Sequence, residues 1–133
     1  MAGIRRDTAD KWFSDCVRER ASWTCENCHT YYPEGNRNGI ECAHIVGRAN
    51  KRLRWEPLNA VCLCTSCHMR YTANPLQFTQ FVISKIGKLG HDILIEKARE
   101  ILKVNDKLRK EIGKHYREEL RRMQAQRITD DIE

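Results

Sequence analysis

Long apolar runs are missing from this chain of 133 residues. No stretch approaches the roughly 20 apolar residues that a membrane-spanning helix needs, and the N-terminus shows no apolar signal segment. Internal repeats and low-complexity tracts are also absent. We therefore expect a protein of the cytoplasm without a membrane partner, in which cysteines meet reducing conditions.

The positive charge of the chain is unevenly distributed. The net charge is +6, with 32% charged and 41% hydrophobic residues, which suits one domain with an appended helical part. Residues 85–127 alone carry +6, whereas residues 128–133 carry −3. Such an excess is expected of a segment that lies along a polyanion, although a solvated helical surface would show the same pattern.

Two close cysteine pairs are the most specific motif. Cys25 and Cys28 form the first pair and Cys64 and Cys67 the second, out of seven cysteines. Each Cys-x-x-Cys turn presents two thiolates, and zinc prefers four such ligands in a tetrahedron. The sequence therefore predicts a structural zinc site. Cys62 is an alternative to Cys64, but only Cys64 gives the two-residue gap to Cys67.

A histidine follows each pair, and the resulting sequence Cys-x-x-Cys-His is also the attachment motif of a c-type haem. That interpretation requires export, for which the sequence shows no signal. We therefore favour zinc.

Periodicity and turn residues predict an α+β protein. A helix is expected over about 8–22, capped by Asp7 or Thr8, and short strands over 40–46 and 60–63 can pair as a hairpin. Further helices are expected to begin at the second cysteine pair, at Pro75, at Asp92 and at Asn105 or Asp106, and the helix from Pro75 should end at Gly87 or Gly90. The helix from Asp92 should turn four apolar residues inward: Leu94, Ala98, Ile101 and Leu102.

Three polar residues stand at intervals of 15 and 9 between and just after the cysteine pairs: His44, Asn59 and His68. Phosphodiester cleavage needs a base that activates water and a polar group that fixes the orientation of this base. It also needs neutralisation of the charge on the phosphorane, which Mg²⁺ or Mn²⁺ can provide. If the hairpin leads into the helix at the second pair, all three residues converge on one cleft. The order and spacing of His44, Asn59 and His68 therefore suit a metal-dependent phosphodiesterase.

These motifs resemble the HNH endonucleases of the ββα-metal fold, which is treble-clef-like, in the subset with a four-cysteine zinc site. Residues 41–48, 53–59 and 64–68 are similar more narrowly to the phage NinG (Rap) recombination endonucleases, as is, more loosely, the tail from Phe81 to Leu120. The resemblance implies His44 as general base, Asn59 as the residue that orients it, and His68 as a ligand of the catalytic metal. It also implies cutting of branched or recombining DNA by a phage protein in a bacterial host, leaving 5′-phosphate and 3′-hydroxyl ends. One such active site cuts one strand, so a monomer should nick.

The chain departs from the wider HNH pattern directly before the base. Many members have a metal-binding Asp or His there, whereas this chain has Ala43. Glu41 is the favoured second ligand because magnesium prefers hard oxygen, with Cys42 or water as alternatives. Thr72 stands where other members can have a second histidine.

Four bases lie in the loop between the proposed base and Asn59, and they are candidate phosphate contacts: Arg48, Lys51, Arg52 and Arg54. A merely solvated basic loop is the alternative interpretation.

We predict two parts. Residues 1–75 form a zinc-braced core that includes an N-terminal helix, and residues 76–133 form a basic helical extension that packs on this core. The expected function is metal-dependent DNA hydrolysis by a monomer or weak dimer. The alternative is a zinc-dependent nucleic-acid-binding module without catalysis, which has no use for His44 and Asn59.

Overall fold

The computed structural model describes residues 6–132 and contains four helices and a two-stranded antiparallel sheet within them. The helices are α1 (Thr8–Arg20), α2 (Thr65–Ala73), α3 (Pro75–Ala98) and α4 (Asp106–Ile132), and the strands are β1 (Ile40–His44) and β2 (Ala60–Cys64). The predicted α+β class is confirmed. No helix in the described part is long and apolar enough to cross a membrane.

Helix α1 begins where the sequence predicts. The Asp7 carboxylate accepts a hydrogen bond from the Asp10 backbone N–H, and the Asp10 carboxylate accepts one from Asp7, which makes a capping box. The apolar side of α1, with Phe13 and Val17 almost fully buried, packs against α4 and the sheet. Tyr116 of α4 donates a hydrogen bond from its hydroxyl to the Trp55 carbonyl over 2.5 Å, which fixes α4 on the core.

The two strands form the predicted hairpin. Ile40 pairs with Cys64 and His44 with Ala60, and a short 3-10 turn over Pro57–Asn59 leads into β2. All five residues of β2 are buried, because α1 and α2 also contact this strand. Helix α2 follows β2 directly, so the end of the hairpin is tied to the start of a helix.

The region after Pro75 follows the prediction in part. The range of α3, Pro75–Ala98, contains two helical segments that meet at a kink at Gly87, a predicted end of the helix from Pro75, and the φ of 78° there favours glycine. The second segment begins before Asp92, its predicted start. Leu94 is buried as expected, but Ile101 and Leu102 lie beyond the helix and are exposed, so their inward placement was wrong. Apolar residues continue past Ala98, but the helix ends at that residue.

Gly113 offers a first test of the packing between α1 and α4. It lies in the interior of α4, and a Cβ atom there would meet Ala9 at ordinary van der Waals distances of 3.5–3.7 Å. Gly113→Ala is therefore expected to raise the free energy of unfolding by about 0.5–1 kcal/mol, measured by urea denaturation. Gly39→Ala is the contrasting variant, since its Cβ would come within 2.5 Å of the Tyr32 ring and should destabilise. Destabilisation by Gly113→Ala would contradict this account of the interface.

Candidate metal centre and catalytic cavity

The four predicted cysteines lie together. Their sulfur atoms are all within 4.8 Å of one another, and Cys28 Sγ is 3.8 Å from Cys64 Sγ. A tetrahedral zinc with Zn–S bonds of about 2.3 Å requires sulfur separations of about 3.8 Å. Cys25 and Cys28 come from the loop after α1, Cys64 ends β2 and Cys67 lies in the first turn of α2. The cluster is suited to a structural metal such as zinc.

Backbone hydrogen bonds shape the first cysteine turn. The Cys25 N–H donates to the Thr30 carbonyl over 3.0 Å, and the His29 N–H donates to the Cys25 carbonyl over 2.9 Å. His29 closes this turn with a φ of 63°, a left-handed conformation that is uncommon outside glycine and asparagine. The side chain of His29 is exposed, so its place after Cys28 serves the turn.

A polar relay supports the second pair. The Asn27 amide donates to Cys67 Sγ over 3.2 Å, and the Tyr71 hydroxyl donates to the Asn27 oxygen over 2.8 Å. Hydrogen bonds of this kind orient metal ligands. Sequence reasoning missed Asn27 and Tyr71. An amide inside the first Cys-x-x-Cys turn was the available signal for Asn27.

The thiols of the cluster differ in acidity. Hydrogen bonding with Thr30 lowers the pKa of Cys28 to about 6, while burial raises the pKa of Cys67 to about 12. A metal ion binds the thiolate form, so it must displace a proton from Cys67.

A cavity of about 400 Å³ lies between α1, β1 and the first turn of α2, each of which contributes lining residues. It brings together two of the three predicted catalytic residues and the predicted second ligand: His44, His68 and Glu41. Four arginines line it as well; two of them pair with Asp15, while Arg6 and Arg48 form no ion pair within residues 6–132, so the cavity favours an anion. These arginines are Arg6, Arg18, Arg37 and Arg48.

His44 is held with one ring nitrogen engaged. Its Nε2 lies 2.9 Å from the Arg54 carbonyl, which can only accept, so Nε2 carries the proton and donates. Nδ1 is then an acceptor, with no hydrogen-bond partner among residues 6–132. The ring also stacks on Phe13. Burial is the main cause that lowers the pKa of His44, so the imidazole is neutral at pH 7. This is the protonation state that a general base needs.

Asn59 is fully buried and holds the loop between the strands. Its oxygen accepts from the Val46 N–H over 2.8 Å, and its amide donates to the carbonyls of Val46 and Leu53 over 2.9 and 3.0 Å. Arg54, whose carbonyl binds His44, follows Leu53 directly. Asn59 therefore positions His44 through the loop backbone.

Glu41 and His68 form a pair at the edge of the cavity. His68 Nδ1 and Glu41 Oε1 are 2.9 Å apart, and both side chains are about one-third exposed. With Nδ1 donating to the carboxylate, Nε2 of His68 is the nitrogen available to a metal.

The alternatives to Glu41 are less suited to hold an ion. Burial raises the pKa of Cys42 to about 11, so its thiol stays neutral. The Thr72 hydroxyl donates to the His68 carbonyl within the same helix.

The four loop bases fall into different environments. Arg48 lines the cavity, and its buried Nη1 has no hydrogen-bond partner in the described part of the chain. Lys51 is exposed, and Arg52 bonds to Glu100. Arg54 differs from the expectation for it, because it is only 4% exposed and binds Asp10 with two hydrogen bonds of 3.0 and 2.5 Å. Arg54 therefore forms a structural ion pair with Asp10 inside the protein.

The polar face of α1 was missed in the sequence. Asp10, Ser14 and Arg18 recur every four residues and line one side of the cavity. Arg6 donates to Ser14 over 2.8 Å, and Arg37 binds Asp15 with two bonds. The four-residue spacing was a readable signal, since such positions share one helix face.

Comparison of the chain with family models, with curated proteins and with solved structures finds no match.

Proposed function

We propose that this protein is a metal-dependent DNA endonuclease that hydrolyses phosphodiester bonds. One observation carries the proposal: His44, neutral and with Nδ1 unpartnered in the described chain, lies in the same arginine-lined cavity as the Glu41–His68 pair. A base, a metal-ligand pair and an anion-binding surface are the parts that phosphodiester hydrolysis requires.

Each residue has a distinct part in this proposal. Nδ1 of His44 accepts the proton of the attacking water, and the Arg54 carbonyl keeps the ring in the required tautomer. Asn59 keeps that carbonyl in place. Arg48 contacts the phosphate, for which its unpaired Nη1 provides a donor. Lys51 is exposed and is proposed to contact a neighbouring phosphate.

The metals are proposed from the donor sets. Zinc suits the four thiols, whereas Mg²⁺ or Mn²⁺ suits His68 with oxygen ligands. The divalent ion supplies charge neutralisation for the phosphate and the leaving oxygen when it is bound. Glu41 either adds an oxygen to this ion or orients His68, and its 2.9 Å contact to Nδ1 supports orientation.

The finer identity is also a proposal. The order β1, β2, α2 with a cysteine pair at the β2–α2 junction supports an HNH enzyme of the ββα-metal fold. Branched or recombining DNA as the substrate, and a phage origin, rest on the resemblance of residues 41–68 to the NinG family. A single cavity of this kind cuts one strand, so a monomer should nick.

A plasmid nicking assay tests the proposal. Zinc-loaded protein and His44→Ala are incubated with supercoiled plasmid, with and without added Mg²⁺ or Mn²⁺, and then with a four-way junction. We expect relaxed circles or nicked arms from the wild type only, and only with the added ion. If neither substrate is cut while both proteins bind DNA equally, the protein is the non-catalytic binding module.

The acid side of the pH profile gives a second test. Since burial lowers the pKa of His44 below its ordinary value of about 6.5, the neutral form persists below that pH. Nicking under subsaturating DNA is therefore expected to be lost with a midpoint below pH 6.5 as the pH falls through the lowered pKa. Circular dichroism at each pH controls for unfolding. A midpoint at or above 6.5 would contradict His44 as the base.

A further inference from the structure

Helix α4 carries four basic residues on one face. Lys110, Lys114, Arg117 and Arg121 follow at intervals of four, three and four residues, so they form a single stripe along the helix. At about 1.5 Å per residue the stripe is about 16 Å long, which equals the rise of about five base pairs of duplex DNA. All four side chains are exposed.

The stripe is not neutralised by the protein. None of its four residues forms an ion pair with a carboxylate within residues 6–132. Three other arginines of the same helix do: Arg109 binds Asp7, Arg122 binds Glu119, and Arg127 binds Glu34 and Glu19. Arg109 and Arg127 are paired with carboxylates outside α4, Arg122 is paired within the helix, and the stripe remains available to an anionic partner.

Two grooves connect the stripe to the catalytic cavity. A groove of about 470 Å³ is lined by Trp12, Lys110, Lys114 and Arg117, and a second of about 320 Å³ by Trp12, Arg37, Arg117 and Arg121. Trp12 and Arg117 belong to both grooves. Arg37 lines both the second groove and the catalytic cavity, so the second groove adjoins the cavity that contains His44.

Most carboxylates along the two grooves are paired with arginines of the protein. Asp15 is bound by Arg18 and Arg37, and Glu34 by Arg127. Asp7 is bound by Arg109 at 3.2 Å. Asp106, at the start of α4, lies at the far end of the first groove, one turn before Lys110. The two grooves therefore present a net positive surface.

We propose that this stripe is a second contact surface for duplex DNA, which holds the arm that flanks the bond cut in the cavity; this extends the proposed function and rests on it. Basic residues one helical turn apart on a rigid helix suit the regular phosphate spacing of a duplex. Single-strand binding relies on free aromatic faces. Trp12, beside the stripe, is already contacted by Lys11 at 4.8 Å and Arg117 at 5.6 Å.

Salt-dependent binding tests this surface. The stripe variant replaces all four of its residues by Gln. The control variant replaces four exposed bases outside α4 by Gln, for the same change in net charge: Arg70 of α2, Lys85 and Lys88 of α3, and Arg99 directly after α3. Both are made in the His44→Ala background, and their fold is verified by circular dichroism. The dissociation constant of a 30-base-pair duplex is measured by fluorescence anisotropy from about 50 to 200 mM KCl.

The stripe variant is expected to reduce the slope of log K against log salt by about 3–4, which is about 0.9 for each lost phosphate contact. The control variant should leave the slope nearly unchanged. Equal slopes in the two variants would overturn the proposal. A single-stranded 30-mer that shows the same loss on stripe replacement would overturn the assignment to duplex DNA.

Failure of the two proposals is distinguishable. If the wild type nicks neither plasmid nor junction but the stripe still determines the salt slope, catalysis is refuted and the duplex-binding surface stands. If nicking depends on His44 while the stripe variant binds like its control, the enzyme stands and the second surface is refuted.

Discussion

Chelation of the metal at the four-cysteine cluster is expected to unfold the protein. The cluster joins the loop after α1 to the junction of β2 and α2, and the sheet between them has only two strands. A two-stranded hairpin is marginal by itself in water. Structural zinc contributes an apparent 10–16 kcal/mol, roughly, to a folded small domain, whereas the whole stability of a domain is about 5–15 kcal/mol. Loss of the ion therefore removes most of the free energy of unfolding.

Far-UV circular dichroism during a chelator titration measures this result, with released zinc followed by a chromogenic indicator. Both signals should change together and recover when zinc is restored. Cys25→Ser should behave like the chelated protein. Cys16→Ala is the matched control, since Cys16 is also buried but lies outside the cluster and only donates to the Tyr116 carbonyl. It should keep its zinc and lose about 1 kcal/mol. A metal-free protein that melts like the loaded one would contradict a structural role for the ion.

Replacing His44 by alanine is expected to slow nicking by about 10²- to 10⁴-fold, the usual contribution of a general base. Affinity for DNA should change little, since the arginines of the cavity remain. Single-turnover rates on a plasmid, with the dissociation constant measured separately, separate the two effects. Added imidazole should restore part of the rate, because it can enter the space left by the ring and act as the base.

His115→Ala is the control for this substitution. His115 is exposed on α4, where its ring contacts the edge of Tyr116, so its loss should leave the rate unchanged. Full activity of His44→Ala, or an equal loss in both variants, would exclude His44 as the base. Thermal melts of both variants show whether packing on Phe13 contributes to the result.

The structure shows which parts of this protein local spacing can predict. Cys25 and Cys28 are brought together by one tight turn, so their pairing follows from the sequence. The hairpin and the start of α1 also depend on neighbouring residues, such as the Asp7 cap. Arg54 was misplaced because its partner Asp10 is 44 residues away, and no local pattern identifies that partner. The contact between Glu41 and His68 joins β1 to α2 in the same long-range way.

The placement of Ile101 and Leu102 was misjudged for a related reason. Apolar residues continue after Ala98, but Ile101 is 92% exposed, and Leu102 only lines an open groove beside Trp55 and Tyr116. Helical periodicity indicates one apolar face, but it does not say whether another element covers that face.

The neighbouring positions of Cys67 and His68 have a consequence for the life of the protein in a cell. Cys67 belongs to the cluster and His68 to the cavity, in the same first turn of α2. A newly synthesised chain without metal would lack an ordered α2 and hence a usable His68. Metal loading would then act as a maturation step: the activity proposed for the cavity would begin only after the chain has acquired its ion, and scarcity of zinc would delay it.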